Sequence, residues 1–96
     1  MRLRPGNLEE LRSPRHVLTL YNLGALQFQQ GRSDEARQLY ERALEVDPRH
    51  VKSLHNLGWL HSEQGRHDEA QSLYEQALDI DPRHVPTLHN LAKQHF

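Results

Sequence analysis

Residues 47–60 read DPRHVKSLHNLGWL, and the chain says nearly the same thing twice more: SPRHVLTLYNLGAL at 13–26 and DPRHVPTLHNLAKQ at 81–94. Working outward from the middle copy, residues 17–50 align with 51–84 without a gap, and 21 of the 34 paired positions are identical. A third copy begins at Val85 and runs to Phe96. A fixed period of this length marks stacked supersecondary units, each too small to bury an apolar face alone. The repeat therefore decides the fold class before any single residue does.

Each unit reads as two helices. The first is predicted over Leu18–Gln30 and Lys52–Gln64, where Leu20, Leu23 and Leu26 recur as Leu54, Leu57 and Leu60 and suggest an apolar stripe. Gly31 and Gly65 end these helices, because glycine tolerates the left-handed conformation that follows a last turn. The second is predicted over Asp34–Val46 and Asp68–Ile80. Asp34-Glu35 and Asp68-Glu69 set negative charge against its positive N-terminal end. Ala36, Leu39, Tyr40, Ala43 and Leu44, matched by Ala70, Leu73, Tyr74, Ala77 and Leu78, form its inner face, and Pro48 and Pro82 stop it. Pro86 falls in the first turn of the last helix, where a missing N–H costs little. Gly24 and Gly58 stand mid-helix, where glycine costs about 1 kcal/mol against alanine. That cost implies a close helix–helix approach, with Ala36 and Ala70 expected opposite the glycines and Tyr40 and Tyr74 alongside.

Leu23-Gly24, Ala36, Tyr40, Ala43 and Pro48, all repeated at the same offset, resemble the tetratricopeptide repeat (TPR). The resemblance covers residues 17–96: one repeat at 17–50, a second at 51–84 and a further helix at 85–96. It departs from the family where Leu20, Leu54 and Leu88 replace a frequent Trp, and where Gln27, His61 and His95 replace a frequent Tyr. It implies an all-α solenoid of antiparallel helix-turn-helix units, about five helices in a right-handed superhelical stack. Residues 1–16 are either the tail of a preceding repeat, with Leu8 and Leu11 capping the first helix pair, or an N-terminal extension.

Composition narrows the function. Formal net charge is −1 with acids and bases interspersed, so there is no basic face for nucleic acid or an anionic membrane. No cysteine is present, which removes disulfides, thiolate metal sites and a Cys nucleophile. No apolar run approaches membrane-spanning length, and MRLRPGNLEEL lacks the apolar stretch of a secretory signal, so a cytoplasmic protein is the expectation. Ser, His and Asp occur in no arrangement that groups a nucleophile, a base and its orienter, and no Gly-rich phosphate loop exists. Catalysis is not expected, nor is a cofactor.

The histidines invite a metal reading. His50 and His55 are five apart, as are His84 and His89, which puts each pair on different helix faces. Metal-binding helices use i, i+4 pairs, and none occurs here. His16, His50 and His84 read as copied surface residues at turns, and His61 and His95 as fillers of half-buried slots. Neighbouring His55 and His89 offer incidental zinc or nickel binding only with a third ligand.

The resemblance also implies which residues line a concave groove. In the first unit these are Leu18, Tyr21, Asn22, Ala25, Phe28 and Gln29. In the second they are Lys52, His55, Asn56, Trp59, Ser62 and Glu63, and in the last helix His89, Asn90, Lys93 and Phe96. His55, Trp59 and Ser62, at i, i+4 and i+7, do share one helical stripe. Trp59 is the expected anchor for a partner, and Asn22, Asn56 and Asn90 recur once per unit, as in the asparagine ladder of O-linked N-acetylglucosamine transferases. The two-carboxylate clamp of chaperone-binding members would need Lys, Asn, Asn, Lys and Arg at Tyr21, Ala25, Asn56, Pro86 and Asn90; only Asn56 matches, so chaperone C-terminal tails are not expected partners. The expected function is binding of an extended peptide segment of a partner protein. The alternative is a scaffold fragment of a larger protein, natural or engineered, that self-associates through open solenoid ends at Leu88, Leu91 and Phe96.

Overall fold

The structure, a computed structural model, describes residues 13–94. Most of residues 1–16 and the terminal His95 and Phe96, for which the sequence raised expectations, lie outside the described residues. A 3-10 turn at Pro14–His16 leads into α1 (Val17–Gln29), followed by α2 (Ser33–Val46), α3 (Val51–Glu63), α4 (His67–Ile80) and α5 (Val85–Gln94). Two compact units divide the chain, residues 1–48 and 49–96. In the first, α1 packs on α2; in the second, α3 packs on α4 and α4 on α5.

The turns inside each helix pair are built by glycine. Gly31 and Gly65 have φ of +77° and +78°. The Gly31 N–H donates to Phe28 O at 3.0 Å and the Arg32 N–H to Gln27 O at 2.9 Å. Gly65 N–H to Ser62 O at 3.0 Å and Arg66 N–H to His61 O at 2.8 Å repeat the arrangement. This paired 5→2 and 6→1 bonding satisfies the carbonyls that a helix end leaves open. At the other end of α2 and α4, Asp47 and Asp81 turn extended, as a residue before proline prefers.

The atoms nearest the first helices' glycines belong to the tyrosine rings that the sequence placed alongside them. A Cβ built on Gly24 would lie 2.7 Å from Tyr40 Cε1, and one on Gly58 would lie 2.6 Å from Tyr74 Cε1. Tyr40 and Tyr74 are fully buried, so each ring occupies the volume that a methyl group would need. Ala36 and Ala43, or Ala70 and Ala77, are buried on the same helices and let them approach. In the first unit Val17, Leu20 and Ala43 form the core, with Leu39 and Val46 against it.

The apolar stripe also needs correcting. Leu26 is 47 % exposed, whereas its equivalent Leu60 is fully buried. Three-residue steps advance 300° each, so Leu26 lies 120° around the helix from Leu20 and leaves its face. On α3 burial spans a wider arc, from Ser53 and Leu54 through Leu57 and Gly58 to Leu60.

His50 and His84, expected as surface residues, are half-buried just before α3 and α5. The His50 ring Nδ1 hydrogen-bonds Ser53 Oγ at 2.7 Å, and His84 Nδ1 hydrogen-bonds Thr87 Oγ1 at 2.6 Å. Ser53 and Thr87 are fully buried, so the imidazoles supply partners that buried hydroxyls require. In the first copy Thr19 is exposed, and His16 instead accepts from Arg15 Nε at 3.4 Å.

Ala92 occupies the glycine position on α5 and is exposed. Gly24→Ala and Gly58→Ala should each destabilise the protein by about 1–2 kcal/mol, because overpacking outweighs the gain of about 1 kcal/mol in helix propensity. Ala92→Gly should cost about 1 kcal/mol through propensity alone. Chemical denaturation of the three variants reads this directly; a stabilised Gly58→Ala would show that the tyrosine ring moves freely.

Candidate functional site

The helical stripe of α3 that carries His55, Trp59 and Ser62 faces two hollows inside the second unit. His55, Trp59, Pro86, His89, Asn90 and Lys93 line one, of about 240 Å³. Trp59, Ser62, Glu63, Tyr74, Asn90 and Lys93 line the other, of about 220 Å³. Both are below the size of a typical small-molecule pocket and fit about one side chain each. Trp59 lines both and is 44 % exposed although the rest of α3 is extensively buried.

Behind Trp59 lies a network of hydrogen bonds. His55 Nδ1 meets Asn56 Oδ1 at 2.9 Å, and Asn90 Nδ2 meets His55 Nε2 at 2.9 Å. A carbonyl oxygen only accepts and an amide nitrogen only donates, so Nδ1 carries the proton and Nε2 accepts. The two contacts match the neutral Nδ1–H tautomer of His55. Burial is the main cause that holds its pKa below the usual histidine value; the hydrogen bond to Asn56 pulls upward, nearby His84 adds to the lowering, and a backbone bond to Pro86 raises it. The His84 ring stands 5.5 Å away, edge-on at 66°, and the Tyr74 ring 6.0 Å away. Burial likewise pushes Tyr74 up to about 12, opposed by its hydrogen bond to Asn90 and assisted by Glu63.

The structure thus gathers His55, Asn56, Trp59, Ser62, Glu63, His89, Asn90 and Lys93 around one surface. Lys52 is exposed but lines neither hollow. In the first unit Asn22 is exposed, Ala25 and Phe28 are half-buried, and the half-buried Tyr21 ring tilts against Tyr40 at 6.1 Å. Two hollows of that unit lie among other residues, Glu41 and Arg42 of α2 included. Tyr74, Pro86 and His84 were read from sequence as packing and turn residues, yet they bound the site. The signal available was that Pro86 stands where the second copy has Lys52, shortening the side chain beside His55. Among the described residues no group of three or more His, Asp or Glu could hold a metal ion, and both ring nitrogens of His55 are already engaged. None of the described helices is long and apolar enough to cross a membrane.

Since folding lowers the His55 pKa, the unfolded chain binds that proton more readily. Its contribution to stability is present above about pH 6.5, the ordinary histidine value, and is lost as pH falls through the lowered folded value. Thermal melts at pH 7.5 and pH 5.0 should show a drop in Tm that is smaller in His55→Gln; an equal drop in both proteins would assign it to other histidines.

No protein with curated annotation matches this sequence. Among solved structures the chain is similar to that titled "Crystal structure of MamA", with a TM-score of 0.77 and 22 % identity over 86 % of this chain. The chain spans about half of that protein, 47 % of its length, and at this identity the likeness is one of fold. The tetratricopeptide repeat family model matches residues 16–83, which include both Tyr-on-Gly contacts. The chain belongs to the tetratricopeptide repeat family.

Proposed function

We propose that this chain binds an extended peptide segment of a partner protein at the surface formed by α3 and α5, with Trp59 seating one apolar side chain. As a tetratricopeptide repeat it is a protein-interaction module, and the observation that carries the finer reading is Trp59. A large aromatic is 44 % exposed between two hollows of side-chain size. Buried aromatic anchors dominate the energetics of protein interfaces, and tryptophan is the most enriched of them. Lys93 and Glu63 flank it as polar rim, and Asn56 and Asn90 bring amides suited to a peptide backbone. Tyr21, Asn22, Ala25 and Phe28 are the corresponding residues of the first unit.

A second reading rests on α5. Val85 is 70 % and Leu88 44 % exposed, and Ala92 beside them is exposed as well. Their equivalents Val17 and Leu20 are core. Two copies could appose this face symmetrically, with Ala92 allowing close approach. Sedimentation across a concentration series decides it: a monomer throughout removes this reading.

Trp59→Ala should weaken capture of partner peptides by at least about 2 kcal/mol, roughly 30-fold, while changing stability by no more than about 0.5 kcal/mol. A display library of random peptides panned on wild type and variant, with thermal melts alongside, measures both. Unfolding of Trp59→Ala would make Trp59 a core residue and remove the centre of the proposal.

A further inference from the structure

The orientation of Asn90 is set from behind. Its Nδ2 donates to His55 Nε2 at 2.9 Å, and His55 can accept there because its own proton sits on Nδ1, held by Asn56 Oδ1 at 2.9 Å. The Asn90 side chain also hydrogen-bonds Tyr74, which opposes the rise in the tyrosine's pKa. An amide has two N–H donors and one carbonyl oxygen. With the nitrogen turned toward His55, the oxygen lies on the other branch of an amide that lines both hollows beside Trp59.

We propose that His55 is a positioning residue that fixes the hydrogen-bonding polarity of Asn90, so that the site takes a ligand N–H at this point and discriminates against a carbonyl or carboxylate. The inference rests on the peptide-binding reading. For an extended peptide the group taken is a backbone N–H, next to the residue whose side chain sits on Trp59. Protonating His55 at Nε2 removes the acceptor that Asn90 needs. The amide must then turn its oxygen inward and its NH2 outward, or lose its bond to the ring. Groups facing His55 are Asn56 and Trp59 on its own helix, Tyr74 on α4, His84 and the Pro86 backbone at the start of α5, and His89, Asn90 and Lys93 on α5. None of these is a carboxylate; Glu63 lines only the neighbouring hollow. A Pro86 carbonyl within reach gives the protonated ring an alternative acceptor, so Asn90 can be released without unfolding the site.

Two measurements on the full chain test this. The first is ligand-free: histidine ¹⁵N NMR at pH 7.5 should report Nδ1 of His55 as the protonated nitrogen. An Nε2–H tautomer overturns the inference. The second uses a fluorescent peptide selected from a random display library at pH 7.5, titrated by anisotropy from pH 8.0 to pH 5.0. Wild-type affinity should fall about tenfold, the worth of one hydrogen bond, and N-methylation of one backbone amide of the peptide should cost about the same at pH 7.5. His55→Gln, whose carbonyl oxygen accepts from Asn90 at any pH, should bind the peptide with an affinity that no longer changes between pH 8.0 and pH 5.0, whatever its value at pH 7.5. An unchanged pH profile in His55→Gln, or no position sensitive to N-methylation, overturns the inference while leaving peptide binding intact. A selection that yields no peptide dependent on Trp59 overturns the peptide-binding reading and with it this ligand assignment, whereas the NMR result still stands or falls alone.

Discussion

Everything in this structure hangs on the contact between a tyrosine ring and a helical glycine. Tyr40 over Gly24 and Tyr74 over Gly58 bring each pair of helices so close that a single methyl group would collide with the ring. Glycine in a helix interior is unfavourable by itself, and the contact offsets that by burying a whole tyrosine side chain. The alanines at 36, 43, 70 and 77 follow from the same approach, since bulkier residues would hold the helices apart. The glycine-ended turns at 31 and 65 then return the chain within three residues, which the hydrogen-bonded geometry requires.

The packing also settles which residues are left for function. Along α3 the positions committed to burial are Ser53, Leu54, Leu57, Gly58 and Leu60. His55, Asn56, Trp59, Ser62 and Glu63 fall between them, and the same division places His89, Asn90 and Lys93 on α5. Tyr74 belongs to both sets: its ring edge packs on Gly58 and its hydroxyl reaches Asn90. The residue that closes the helix pair thus also supports the surface that faces outward.

Much of this was legible in the sequence. Period, helix limits to within one residue, the glycine turns and the Asp-Pro stops followed from local chemistry repeated at one offset, because that chemistry acts within a few residues. What the sequence misjudged depended on the third dimension. Leu26 matched Leu60 by position but lies off the covered face of α1. The atoms nearest the glycine are those of the ring, closer than the sequence implied. His50 and His84 looked like spare turn residues because the hydroxyls they serve, at Ser53 and Thr87, give no sign in sequence of being buried. At the site, the α3 stripe was evident from helical spacing, but the bond from His55 to Asn90 spans 35 residues and no periodicity encodes it.

Ala92 carries a consequence for what can lie against α5. The methyl group that Gly24 and Gly58 lack is present there. A helix shaped like α2 or α4 would bring its tyrosine into that methyl group if it took the same seat. A tyrosine in that seat would therefore meet a crowding cost of about 1–2 kcal/mol that Tyr40 and Tyr74 avoid over glycine. A neighbour with a smaller side chain at the tyrosine position escapes that cost, so a single carbon atom biases what can cover Val85 and Leu88.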